Sequence, residues 1–349
     1  MGRLRYNNII KIPITVFKKN KKNIAVVGCG QFAFATIGFF LRNKLGRCFY
    51  GVYDIDKANA TSLANYYGGM VFEDANELIT NPNVEVLYVA SNHFTHTEYA
   101  IKGLEAGKTV YLEKPISVNH EQFSKLIKSY NVNQNKLFVG YNRPFSPSVK
   151  TILSYLNNDK RTPLTLNCFI SGHKIPEDNW YRNPEEGTRV CGNVGHWIDL
   201  AIHFLYKVGL PKRLQVSIQA SSSEEVDDNL TITFISEIGD LITIVLTSRT
   251  EPFEGINETI NFQHGEVIAK IDDFRRMTLW KSDELIKERY FRKDVGHKNA
   301  IYQPFNNENT RDFNEVKIST LLMLDIKEAV LKNKKEFIFT INETDHTRP

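Results

Sequence analysis

Six consecutive residues, Gly28-Cys29-Gly30-Gln31-Phe32-Ala33, form a GxGxxA sequence directly after the apolar run Asn23-Ile24-Ala25-Val26-Val27. Each small residue has a task in holding a dinucleotide. Gly28 makes a tight turn, Gly30 lets the backbone approach a pyrophosphate, and Ala33 lets helix and strand pack closely. Gln31 and Phe32 open the helix that follows, where free N–H groups and the positive end of the helix dipole attract phosphate. Asp54 closes the next apolar run, about twenty residues on, where a carboxylate binds both ribose hydroxyls of an adenosine and repels a 2′-phosphate. No arginine follows it, the next residues being Ile55, Asp56 and Lys57. NAD is therefore the expected cofactor, in preference to NADP. The plainer alternative is an ordinary strand–helix turn in which Asp54 caps the next helix.

A second cluster, Thr109-Val110-Tyr111-Leu112-Glu113-Lys114-Pro115, ends an apolar run in Glu-Lys-Pro. Ala90-Ser91-Asn92-His93 and Leu104-Glu105-Ala106-Gly107-Lys108 precede it, and Val139-Gly140-Tyr141-Asn142-Arg143-Pro144-Phe145-Ser146-Pro147 follows. A lysine at such a strand end suits alcohol oxidation. As a hydride leaves the carbinol carbon, negative charge grows on oxygen, and a fixed ammonium stabilises it or relays its proton.

Taken in order, these segments resemble the Gfo/Idh/MocA family, glucose–fructose oxidoreductase, inositol dehydrogenase and their relatives, over nearly the whole chain after residue 22. The resemblance implies a Rossmann domain followed by an open-sheet α/β domain, with the substrate between them on the nicotinamide. It implies that Lys114 contacts the hydroxyl of the reacting carbon, and that Ser91, Asn92, His96 and Glu113 lie on the cofactor side. Glu113 either positions Lys114 or meets the cofactor, while His93 and His96 either contact the cofactor or cap a helix. Family members also carry an acid, three further residues and a histidine at a helix start. The matching stretch here is Gly192-Asn193-Val194-Gly195-His196-Trp197-Ile198-Asp199, which makes His196 the expected proton acceptor. Gly192 stands at the place of the acid, so Asn193 or a substrate group is left to fill the gap. Asp199, one helical turn after His196, either holds the imidazole or is a structural cap. His203, on the apolar side of the same helix, is a core or surface histidine.

Between these two regions runs a loop, His173–Thr188, whose Trp180 and Tyr181 offer flat faces to a sugar ring or base. Lys174 and Arg182 there suit a phosphate or carboxylate. Arg143 is a further candidate for substrate or cofactor contact. No metal is expected, since Cys29, Cys48, Cys168 and Cys191 form no CxxC pair.

Alternating strands and helices must position these residues. Apolar runs at Ile24–Gly28, Phe49–Asp54, Val84–Ala90, Thr109–Leu112 and Leu137–Gly140, with amphipathic stretches Asp56–Tyr67 and His96–Ala106, predict a doubly wound parallel sheet. After Pro147 the texture changes. Helices are expected at about 147–157, 193–207 and 310–332, and strands at Leu164–Ser171, Leu214–Ala220, Leu230–Ile235, Leu241–Ser248, Glu258–Phe262 and Val267–Ile271. The fold class is thus α/β: an N-terminal Rossmann domain, 23–145, and a substrate-binding and oligomerisation domain, 146–349, with a large, mostly antiparallel open sheet. Residues 1–22 read as an arm.

Composition bounds the function. A chain of 349 residues with 42% hydrophobic and 24% charged residues is an ordinary globular protein of about two domains. The net charge of +4 has one compact basic cluster, Lys18, Lys19, Lys21 and Lys22, which reads as a solvated tail rather than a nucleic-acid site. No apolar run reaches about 18 residues, so no membrane span is expected. With no signal-peptide pattern and with scattered cysteines, the cytoplasm is the expected compartment. The expected activity is hydride transfer between NAD and a secondary alcohol or ketone of a sugar, nucleotide-sugar or cyclitol, by a homodimer or homotetramer. Two alternatives are an NAD-binding sensor or partner subunit without turnover, and an enzyme that recycles its bound NAD.

Overall fold

The computed structural model describes residues 21–341 apart from 134–135, 157–160, 225–226, 253–254 and 307–308. The expected arm, through residue 20, lies outside the described residues.

The first sheet begins with β1 (Ile24–Val27), buried at every residue, as a central parallel strand covered on both faces requires. Helical turns then start at Gln31, pass through a wide π-type segment (Ala33–Gly38) and continue as α1 (Phe39–Leu45). The chain goes on through β2 (Phe49–Tyr53), α2 (Lys57–Tyr67), the two-residue β3 (Met70–Val71), α3 (Ala75–Thr80) and β4 (Val86–Val89). It then forms α4 (His93–Glu105), β5 (Thr109–Leu112), α5 (His120–Val132) and β6 (Leu137–Val139). All strands pair in parallel, in the order β3-β2-β1-β4-β5-β6. The order reverses between β1 and β4, and a crevice at that switch point is where such sheets take ligands. Local chemistry starts most of the helices: side chains of Asp56, Asp74 and Asn119 cap α2, α3 and α5.

Ser146 caps α6 (Pro147–Ser154), which opens on a proline with no N–H to lose. Then come β7 (Leu164–Ser171), α7 (Gly195–Val208), β8 (Arg213–Ala220), β9 (Leu230–Ser236), β10 (Leu241–Thr247) and β11 (Asn257–His264). The last elements are β12 (Val267–Asp272), β13 (Arg276–Lys281), β14 (Glu284–Arg289), α8 (His297–Ile301), α9 (Phe313–Leu331) and β15 (Glu336–Thr340). They make a nine-stranded sheet, β14-β13-β12-β11-β7-β10-β9-β8-β15, antiparallel throughout except between β7 and β10. In β7, Leu164, Leu166, Cys168 and Ile170 point to the core, and Thr165 and Phe169 point outward. The inner face is covered by α7, whose residues are almost all buried, and α9 packs on α7.

Several elements are short or weakly apolar and were not expected from sequence: β3, α3, α5, β13, β14, α8 and β15. The charged-ended Arg276–Lys281, whose Met277 and Leu279 are buried, and the polar Glu284–Arg289 are strands that pair with a neighbour along their whole length. Asp199 also corrects an expectation, for it neither caps a helix nor holds His196. Its oxygens accept from Arg311 at 2.9 and 3.1 Å and from Ser319 Oγ at 2.9 Å, which ties α7 to α9. At 3.6 residues per turn, a residue three positions on emerges about 60° round the helix, enough to face a different neighbour. His203 is buried and meets Glu315 of the same network at 2.7 Å. Among the described residues no helix is long and apolar enough to cross a membrane.

Candidate active site

At the switch point the glycine-rich turn meets the end of β4. Gly28 has φ +88°, and a Cβ there would lie 2.3–2.4 Å from backbone atoms of Ala90 and Ser91. Only glycine satisfies both conditions. A Cβ built on Gly30 meets nothing within 4 Å, so open space lies against the backbone where a pyrophosphate is expected. Ala33 is buried at the close helix–strand contact. Asp54 accepts from Cys29 N at 2.6 Å and from Asp56 N at 2.8 Å. An ionised carboxylate has about four lone-pair sites, which leaves the others for a ligand. Capping of α2 falls to Asp56 rather than Asp54.

A cavity of about 800 Å³ connects these groups with Glu-Lys-Pro. It runs from Asp54 and Asn59, past Gly28, Gly30, Gln31 and Phe32, to Ser91, Asn92 and His96. It ends at Glu113, Lys114, Trp180 and Tyr181. At that end Lys114 Nζ donates to the carbonyl of Gly192 at 2.9 Å. Burial lowers the lysine to about 8, opposed by the charge of Glu113 and reinforced by that of Arg143. Burial raises Glu113 to about 7, while Lys114, a hydrogen bond from Tyr111 Oη at 2.8 Å and the backbone N–H of Lys114 pull it down. Glu113 thus grips the turn that presents Lys114 and also borders the cavity. The His96 ring lies between the carbonyls of Pro115 (2.8 Å) and Ser91 (2.9 Å) and holds the same turn against α4. Burial lowers it to about 4.

His196 lies at the start of α7, just after a π-type segment, Val190–Val194. It does not border the cavity, and burial and then the charges of Arg143 and Lys114 hold it well below the ordinary histidine range. Its imidazole is therefore held in the neutral form. His196 Nδ1 and Asn193 Oδ1 are both buried without a protein partner among the described residues. Arg143, expected on the ligand, instead meets Glu258 through Nε (2.7 Å) and Nη2 (3.0 Å) and lies 4.4 Å over the Trp197 ring. Trp197 Nε1 donates to the same carboxylate at 2.8 Å, so Arg143 and Glu258 anchor the His196 helix from below. The aromatic loop is strapped to the first sheet. Glu186 accepts from Asn92 Nδ2 (2.6 Å) and Phe94 N (3.0 Å), capping α4 from a distant segment. Trp180 and Tyr181 each stand 5.0 Å from His93. Arg182, expected to meet an anion, is engaged by Asp228 at 2.8 Å.

Three contributors escaped the sequence reading: Glu186, Glu258 and His297. His297 begins α8, packs 5.4 Å from Phe32 and feels Arg143 and Lys114, and burial lowers it to about 3. A lone histidine or glutamate far along the chain carries no spacing signal. Only its tertiary neighbours reveal it.

Residues 22–141 match the model of the Gfo/Idh/MocA oxidoreductase family, described as an NAD-binding Rossmann fold. Inositol 2-dehydrogenase of Ralstonia nicotianae is 27% identical over 170 residues, 48% of this chain and 47% of that protein. Glucose-6-phosphate 3-dehydrogenase of Bacillus subtilis is 29% identical over 188 residues, 53% of this chain and 52% of that one. The chain thus spans about half the length of these curated relatives. An NAD-binding oxidoreductase from Klebsiella pneumoniae shares the fold with a TM-score of 0.73 at 17% identity, over 92% of this chain and 100% of that one. Over residues 22–141 the chain is thus similar to the NAD-binding domain of the Gfo/Idh/MocA oxidoreductase family, in keeping with the Glu-Lys-Pro turn at the end of its cleft.

Proposed function

We propose that this chain is an NAD-dependent oxidoreductase that moves a hydride between nicotinamide and a secondary alcohol or ketone of a sugar, nucleotide-sugar or cyclitol. The observation that carries the reading is the continuity of one cavity from Asp54 to Lys114. The residues present fit the cofactor. Open space at Gly30, the close approach at Gly28 and the spare lone pairs of Asp54 suit a pyrophosphate and an adenosine ribose. When bound, NAD supplies the hydride acceptor. Asp54 favours NAD over NADP because a 2′-phosphate would meet its carboxylate, and Lys57 is already paired with Glu73.

Lys114 binds the substrate oxygen and stabilises the charge that grows there as the C–H bond breaks. His196, kept neutral by burial, takes the proton. Trp180 and Tyr181 cover the ring of the sugar. Function divides between residues 23–145 for the cofactor and 146–349 for the substrate and self-association. Outward-facing Phe169, Ile235, Leu241, Ile268 and Trp280 on the second sheet suit a second copy, and light scattering should find a dimer or tetramer. Four buried free thiols suit the cytoplasm.

Titration calorimetry with NAD and NADP on wild type and Asp54→Ala, followed by a dehydrogenase screen of sugars, cyclitols and nucleotide sugars, tests the reading. NAD binding weakened in the variant, with a substrate whose turnover collapses in Lys114→Ala, supports it. Failure to bind either cofactor defeats it, and NAD binding without turnover favours a sensor.

A further inference from the structure

Gly192 is the residue whose carbonyl holds Lys114, and its missing side chain has a specific tenant. A Cβ at 192 would stand 1.8 Å from Tyr181 Oη and 2.2 Å from Tyr181 Cζ. No side chain at 192 can coexist with the phenol in this position. The aromatic ring is not loosely placed. It packs against His93 and Trp180, each 5.0 Å between ring centres, and Asn179 Oδ1 receives its backbone N–H at 3.1 Å. The neighbouring Arg182 and Glu186 pin the same segment to Asp228 and to the start of α4. The Tyr181 hydroxyl is therefore delivered to the backbone that carries Lys114 and shares a cavity wall with it. Among the described residues it has no hydrogen-bond partner.

We propose that Tyr181 is a substrate-positioning residue whose phenol, seated over Gly192, donates a hydrogen bond to a polyol oxygen beside the one that Lys114 holds. This rests on the sugar or cyclitol reading above. Two adjacent donors on one wall, an ammonium and a phenol, match neighbouring oxygens on a ring, and a ligand lacking the second oxygen leaves the buried phenol unpaired. Burial pushes the phenol above its ordinary range, with Cys191 and Asp227 adding to the shift and Arg189 opposing it. Tyr181 consequently remains a neutral donor throughout the working pH range and orients the ring without exchanging a proton. Gly192 is then the residue that admits the donor.

The test uses the full chain with NAD and a panel of free hexoses, hexose phosphates, uronic acids, cyclitols and nucleotide-linked hexoses. Tyr181→Phe keeps the ring and its packing and deletes only the hydroxyl. We expect KM for the best panel member to rise tenfold or more, with NAD affinity and the pH profile of kcat unchanged. Gly192→Ala should be worse, and its loss of thermal stability should be relieved in Gly192→Ala/Tyr181→Ala. A Tyr181→Phe enzyme within twofold of wild type in KM overturns the assignment and leaves the dehydrogenase reading intact. A wild type that binds NAD yet turns over no panel member overturns the reading beneath it, and this assignment with it.

Discussion

The two ends of the cleft are built by different rules. At the cofactor end the essential groups lie between Gly28 and Asp54, and the backbone does most of the work: Cys29 N and Asp56 N orient the carboxylate, and Gly28 touches the β4 turn. Around Lys114, at the proposed substrate end, the groups come from four distant segments. Lys114 leaves the first sheet, Tyr181 sits in the loop, His196 heads α7 and His297 heads α8. Buried side-chain pairs, Glu258 with Arg143 and Glu186 with the start of α4, hold them in register. At Gly28 the first design leaves no room for a side chain, because a Cβ would meet the backbone of Ala90 and Ser91, whereas at Gly192 a Cβ would meet a side chain, that of Tyr181.

Four measurements would sharpen or break this contrast. The largest effect belongs to Lys114→Ala, which should lower kcat by roughly 10³-fold while NAD binding by calorimetry persists, since general acid–base groups contribute about 10²–10⁴. Loss of NAD binding in that variant would mean that the two ends are not separable. Next, Glu258→Ala strands Arg143 as an unpaired buried charge and should cost about 3–5 kcal/mol in denaturant unfolding. An unchanged midpoint would show that the substrate end needs no such anchor. Asp54→Ala removes a charged acceptor and should weaken NAD by about 1.5–3 kcal/mol, roughly ten- to a hundredfold, with NADP less affected.

The smallest effect is in pH. Lys114 is a cation below about 8 and loses its charge above it, so kcat/KM should fall as pH rises through about 8, at most tenfold per unit. His196 is held neutral by burial, so it should contribute no limb of its own near the ordinary histidine value, whereas Glu113, raised to about 7, can give one there. A limb near 6.5 that survives in Glu113→Gln and disappears in His196→Asn would show that His196 is charged in the free protein.

The cofactor end was legible because its chemistry is encoded in adjacent residues. A GxGxxA sequence after an apolar run, and an acid at the end of the next run, state both the turn and its partner within one strand–helix–strand unit. The expected strand Leu164–Ser171 matches β7 residue for residue because alternating burial writes a period of two into the sequence. Other readings failed for physical reasons. Arg143 and Arg182 looked available to an anion, but a sequence does not show that Glu258 and Asp228 reach them first. The helix expected from His96 starts at His93, because the carboxylate that caps it comes from Glu186. The helix expected from Asn193 starts at Gly195 because the preceding turn is a wide π-type one.

By itself the sequence determined the α/β class, the place of the nucleotide turn and the lysine at the mouth of the cleft. Each is a matter of local propensity, hydrophobic period or contiguous motif, and each survives whatever the rest of the chain does. Only the tertiary structure decided which charged groups are spent on one another, what occupies the space above Gly192, and that His297 joins His196 and Lys114. Those outcomes depend on distances between residues far apart in the chain. Burial makes each such pairing costly to break: a guanidinium already satisfied by a carboxylate is no longer offered to an anionic ligand.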